Sequence, residues 1–186
     1  MAPGAGSMGS LALGSGTPHF IEGQIEYMDW PGHPLARELA NYWIAKRGDR
    51  TMPLREEIRP SEIRALLPYL VINQVLEDGT DFLIRLFGTE LIKIAGEERT
   101  GKRVSEIGGA PETHDIRRRT QERWMEINRR TYETAAPVYA RVIMLNEQNA
   151  CRDAHIVAAP LTVTGQGVEQ ILGGIFSAPA KDLGRD

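Results

Sequence analysis

Cysteine is almost absent from this chain: Cys151 is the single one among 186 residues. One thiol excludes an internal disulfide framework and any metal site built on several cysteines, and it fits a reducing compartment. Lysine and arginine are missing before Arg37, so the basic start of a secretory signal peptide is lacking. No apolar run approaches the ~20 residues of a membrane-spanning helix. Neither charge is in large excess: 22 Lys and Arg against 25 Asp and Glu leave a net charge of −3, and no global field draws the chain to nucleic acid or anionic lipid. The four histidines, His19, His33, His114 and His155, show no metal-ligand spacing. These absences lead to an expectation of a cytoplasmic protein with no metal, no nucleic-acid partner and no membrane partner.

Hydrophobic residues at 41% and charged residues at 25% are enough for a real core in an ordinary globular domain. Residues 1–18 are dominated by Gly, Ser, Ala and Pro and read as a flexible tail; residues 180–186 read as a second tail. Between them the pattern divides into an N-terminal helix with its connector at 19–58 and a domain at 59–179. From Pro34 to about Lys46, Leu35, Leu39, Tyr42 and Trp43 fall on one helical face, with Gly48 as the stop. Pro60-Ser61-Glu62 opens a predicted short helix through Leu67, ended by Pro68. Tyr69–Glu77 and Phe82–Phe87 are strand-like, and Asp78-Gly79 between them predicts a tight primed hairpin turn. Leu91, Ile92, Ile94 and Ala95 mark a short helix. From Glu112 to about Thr131 there is no Pro or Gly, and a thin apolar stripe of Ile116, Trp124 and Ile127 predicts a long helix. Pro137–Leu145, Cys151–Leu161 and Val168–Ser177 then read as an antiparallel meander, with Pro160 near a strand end or edge.

Two strands, a helical crossover and three strands can form one five-stranded antiparallel sheet, an α+β architecture whose crossover helices cover one face. That order resembles the PAS topology. Short stretches are similar to the family too: Arg59-Pro60-Ser61-Glu62-Ile63 through Leu66-Leu67-Pro68 with Val71–Leu76, then Phe82-Leu83-Ile84-Arg85-Leu86-Phe87-Gly88-Thr89, then Gly96 with Thr100-Gly101-Lys102, and Ala159-Pro160-Leu161 through Gly174. The resemblance implies a sensory or protein-interaction module of the kind found in short bacterial PAS proteins. It implies a cup between sheet and helices, and surfaces for a homodimer or an unidentified signalling partner. No output domain fits in the remaining length, so the signal is expected to leave through a non-covalent partner.

The residues suggest where such functions would lie. In Phe82–Phe87, alternation sets Phe82, Ile84 and Leu86 opposite Leu83, Arg85 and Phe87. Arg85 marks the wetter face, so Ile84 and Leu86 are expected to line the cup, closed by Leu91, Ile94, Trp124 and Ile127. The face made by Leu35, Leu39, Tyr42 and Trp43 is the candidate dimer interface, against the alternative that it packs on its own domain. No cofactor follows from the sequence; a haem held by His114 near the start of the long helix, or a small hydrophobic ligand in the aliphatic cup, are the options left open.

Other features point away from chemistry. Gly96-Glu97-Glu98-Arg99-Thr100-Gly101-Lys102 approaches a phosphate-binding loop, but Arg103 stands where a Ser or Thr is needed and two carboxylates sit inside it. Arg117, Arg118, Arg119, Arg123, Arg129 and Arg130 are interspersed with Glu122, Glu126 and Glu133, which predicts a salt-bridged solvated face rather than a nucleic-acid surface. Cys151 lacks the motif of a photoreceptor cysteine. No catalytic residue emerges. A small cup-fold isomerase-like enzyme is a third reading, and helices interrupting the strands argue against it.

Overall fold

The computed structural model describes residues 24–107, 115–145 and 151–179. Helix α1 spans Pro34–Arg47, as its apolar spacing predicts. Pro34 sits in the first turn, where its missing N–H has no intrahelical acceptor to lose. The His33 imidazole accepts the Leu35 N–H at 3.2 Å, and Gly48, at φ 57°, returns its N–H to the Ile44 carbonyl. The helix predicted from Pro60 to Leu67 does not form. Two single 3₁₀ turns, Pro60–Glu62 and Leu67–Tyr69, take its place after a further one at Arg55–Glu57, and Pro68 lies inside Leu67–Tyr69. Two prolines eight residues apart leave too few N–H donors for a stable α-helix.

Six strands form one sheet: β1 (Ile25–Met28), β2 (Leu70–Leu76), β3 (Asp81–Phe87), β4 (Val138–Leu145), β5 (Cys151–Leu161) and β6 (Gln170–Pro179), in spatial order β1-β4-β5-β6-β2-β3 with every pair antiparallel. The expected five strands are all present. The sixth, β1, is an addition at the edge beside β4, with Ile25 opposite Val142. Pairing of β2 with β6, Leu70 opposite Gly174, joins the first hairpin to the final meander. Between β3 and β4 run α2 (Thr89–Ala95) and α3 (Asp115–Thr134). Pro160 lies past Ala158, where β4 stops pairing with β5, so its missing N–H interrupts no second ladder. No described helix is long and apolar enough to cross a membrane.

The β2–β3 turn is wider than predicted. Leu76 pairs with Asp81, and Glu77, Asp78 and Gly79 take φ values of 47°, 54° and 83°. Gly79 answers a second demand, since a Cβ there would lie 2.4 Å from the Tyr132 ring on α3.

Both faces of the sheet are covered, not one. The crossover helices α2 and α3 lie over Asn73, Ile156, Ala158 and Ile175, whereas α1 packs on the opposite face. There the Leu39 side chain sits over Gly174, where an added Cβ would meet Leu39 Cδ2 at 2.5 Å. The buried Trp43 indole N–H donates to the Pro160 carbonyl at 2.9 Å. Ala36, Leu39, Ala40 and Trp43 belong to the same continuous core as the strands. The division expected between 19–58 and 59–179 is therefore not a break in packing. The two tails read at 1–18 and 180–186 lie outside the described residues.

Candidate functional site

Two adjoining cavities lie between the sheet and its crossover helices. The first, about 90 Å³, is lined by Phe87, Leu91 and Ile94 with Arg99, Arg117 and Trp124. The second, about 70 Å³, is lined by Val71, Asn73, Trp124, Ile127, Asn128 and Ile156. Thr120, Trp124, Met144 and Ile175 belong to both walls. Each volume is well below the ~300 Å³ at which ordinary small-molecule sites begin, so a larger ligand requires α3 to move off the sheet.

Of the residues expected to line the cup, Leu91, Ile94 and Trp124 border the first cavity, and Trp124 and Ile127 the second. Ile84 is fully buried and shares the cup face with Asn73, but it touches neither cavity. Leu86 requires a correction. Ile72 lies opposite Leu86 and Asn73 opposite Ile84, so Arg85 has no opposite number. This bulge reverses the alternation. Phe87, opposite Val71, turns inward and lines the first cavity in place of Leu86, which lies half-buried on the other side.

The polar residues of the cup were not singled out in the sequence. Asn73, 1% exposed, interrupts the apolar run of β2, and Asn128, 2% exposed, continues the Trp124–Ile127 face of α3. Asn73 Nδ2 donates to Asn128 Oδ1 at 3.2 Å. A polar residue inside a buried strand, and another on the stripe of an otherwise charged helix, are the signals that could have found them. Arg99 is also buried, with its guanidinium 5.8 Å from the Phe87 ring centre and 6.0 Å from that of Trp124, and its Nε 3.1 Å from Glu97. Its loop is not a phosphate cradle. Glu97 also accepts from Lys102, Glu98 accepts the Arg99 and Thr100 N–H groups, and the segment runs along the edge of β3 through Ile84 and Lys102. Among the described residues, neither cavity wall contains an Asp, Glu, His or Cys.

The expected dimer face is occupied by the chain's own sheet. Leu39 and Trp43 are 0% and 1% exposed, Leu35 and Tyr42 are half-buried, and the Tyr42 hydroxyl accepts the Arg59 N–H and donates to Glu62. Near α1, His33 stacks on Phe176 at 5.8 Å and lies at the same distance from His155. Burial, with Gly32 packed on the ring, pushes the His155 pKa below its usual value, although Asp153 pulls the other way. Asp153 is itself held low, first by the Arg141 hydrogen bond. These two histidines are on the face away from the cavities, so neither can serve as an axial ligand there. His19 and His114 lie outside the described residues, as does the side chain of Cys151. Among the α3 arginines, Arg118 pairs with Glu122 at 2.8 Å and Arg130 lies 4.2 Å over the Tyr27 ring, while Arg117 and Arg123 border the cavities.

A family model described as PAS domain matches residues 32–176, a span that includes α1. No curated protein matches the chain. Among solved structures, a light-oxygen-voltage domain studied with a flavin analogue is similar at 16% identity, with a TM-score of 0.44 over 64% of this chain and 86% of the other. The PAS domain of the fruit-fly ELK potassium channel shows 11% identity and a TM-score of 0.42 over 64% and 93%. A variant of the fungal photoreceptor VVD shows 12% identity and a TM-score of 0.45 over 77% and 96%.

Proposed function

This chain belongs to the PAS domain family, and on that premise we propose that it is a ligand-responsive sensory module whose output is the position of α3, read by a separate protein. Sensory and interaction roles are what the family supplies in general. The finer reading is carried by one observation: the joint between α3 and the sheet holds two cavities and an incompletely paired amide couple instead of close packing.

The two helices on the sheet are held differently. Helix α1 buries Ala36, Leu39, Ala40 and Trp43, large apolar area that resists displacement. Helix α3 fully buries Ile127, Asn128 and Thr131, less apolar surface, and its outer face is charged. A molecule that fills the joint adds contacts only where α3 and the sheet are correctly spaced, and so selects one helix position over others. Walls that, among the described residues, are apolar, amide, hydroxyl or arginine side chains and carry no acid–base pair support binding rather than catalysis. The reading places this module in the cytoplasm.

Native mass spectrometry of the purified chain, joined to hydrogen exchange, tests this. The expected results are a co-purifying small molecule and slower amide exchange in α3 when it is bound. Exchange in α3 that is the same with and without ligand overturns the proposal. The same spectrum reports subunit number; a dimer would have to use a surface other than Leu39 and Trp43.

A further inference from the structure

The amide couple inside the second cavity is built to recognise one kind of chemical edge. Two asparagine side chains can close on each other with two hydrogen bonds. Here only Asn73 Nδ2 to Asn128 Oδ1 is made. Asn73 Oδ1 and Asn128 Nδ2 have no hydrogen-bond partner among the described residues, and both are shielded from solvent. One is an acceptor and the other a donor. Both residues border the cavity, whose remaining walls include Val71, Ile127, Ile156 and Ile175. Gly173 keeps it open on the strand side, because a Cβ there would lie 2.5 Å from the Val71 methyl.

Unpaired buried polar atoms are unfavourable, and two leucines would fill such a joint without that cost. A water can take two partners from this pair, the fewest a buried water needs, but it leaves the surrounding Val71, Ile127, Ile156 and Ile175 side chains without a contact. A ring carrying N–H and C=O side by side satisfies both atoms and presents its carbons to the walls.

We propose that this cavity binds a small neutral molecule bearing a cis-amide edge, a lactam or cyclic imide. Its N–H donates to Asn73 Oδ1 and its carbonyl accepts from Asn128 Nδ2. Its ring lies against Ile156, Ile175 and Trp124, and a ring substituent would extend into the neighbouring cavity through the shared Thr120 and Met144 walls. The assignment rests on the sensory reading above and names the class of molecule that reading requires.

The test titrates 2-pyrrolidone into the ¹⁵N-labelled full chain, with cyclopentanone as a ring of the same size that accepts but cannot donate. The expected result is movement of the Asn73 and Asn128 side-chain amide signals and the Trp124 indole signal, with a Kd on the order of 1 mM for so small a probe. Cyclopentanone should bind about tenfold more weakly, as loss of one buried hydrogen bond requires. Asn73→Leu should bring the two probes to equal affinity. If that variant does not fold, the comparison of the two probes on the unaltered chain decides alone. Equal affinity there, no shift at the solubility limit, or shifts confined to other residues overturns the assignment, as does an ordered water bridging Asn73 and Asn128 that pyrrolidone fails to displace. A co-purifying ligand in the cup without an amide edge leaves the sensory reading standing and removes this one. Pyrrolidone binding with unchanged α3 exchange does the reverse.

Discussion

Replacing Leu39 with alanine tests whether α1 is an internal element of this domain or an interface for a second copy. Leu39 is fully buried, and its Cδ2 methyl occupies the space a side chain on Gly174 would take, 2.5 Å from that position. Leu39→Ala should therefore cost about 3–5 kcal/mol, because the sheet beneath it cannot collapse into the void. For a chain of this size that lowers the melting temperature by on the order of 10 °C. Gly174→Ala alone should cost about 1–3 kcal/mol through overpacking, since its methyl also meets Phe176 Cε2 at 2.7 Å. Combined, the new methyl enters the space Leu39 vacates, and the double variant should be about 1–2 kcal/mol more stable than additivity predicts. Urea unfolding followed by circular dichroism measures all three, and native mass spectrometry reads subunit number in parallel. Costs that add to within about 0.5 kcal/mol refute the contact. An unchanged unfolding midpoint with a halved subunit number would show that the Leu39 face serves another copy.

Gly88→Ala should destabilise by about 3 kcal/mol, because its Cβ would lie 2.3 Å from the Pro68 carbonyl oxygen and 2.6 Å from the carbonyl carbon, both backbone atoms that cannot rotate away; a thermal midpoint within a degree or two of the parent contradicts this. The Glu169 carboxylate accepts the Thr164 and Val163 N–H groups and the Thr162 and Thr164 hydroxyls, and the Thr164 amide leads in bringing its pKa from 4.5 to about 2. A folded pKa below the unfolded one gives stability that is present above 4.5 and lost as pH falls towards 2; Glu169→Gln should flatten the urea midpoint across that window. Burial holds the His155 pKa below 6.5, so the unfolded chain takes up that proton first. Stability should be complete above 6.5 and fall as pH drops below it, a trend that His155→Gln removes. An imidazole titration by NMR with a midpoint at or above 6.5 refutes the sign.

The order of elements was legible because each reports its own period. Helix α1 shows it in Leu35, Leu39, Tyr42 and Trp43, the strands in their β-branched runs, and the first hairpin in Asp78-Gly79. Strand β1 carries no signal of its own, because four residues, Ile25 to Met28, are too short for alternation to stand out and become a strand only against β4. Leu86 was misplaced because strict alternation holds only while both strands advance in step, and the Arg85 bulge breaks that step where β2 pairs. Ile84 kept its inward face because it lies before the bulge.

Hydrophobic spacing by itself determined which segments are helices and strands, and that α1 has a face to bury, since both follow from interactions within a few residues along the chain. What covers that face is a matter between distant residues. Only the tertiary structure decided that Leu39 rests on Gly174 rather than on another copy, that Phe87 replaces Leu86 at the cavity, and that Asn73 meets Asn128, 55 positions away. Local periodicity has no term for which polar group will be left facing which, and the cup's chemistry is made of that pairing.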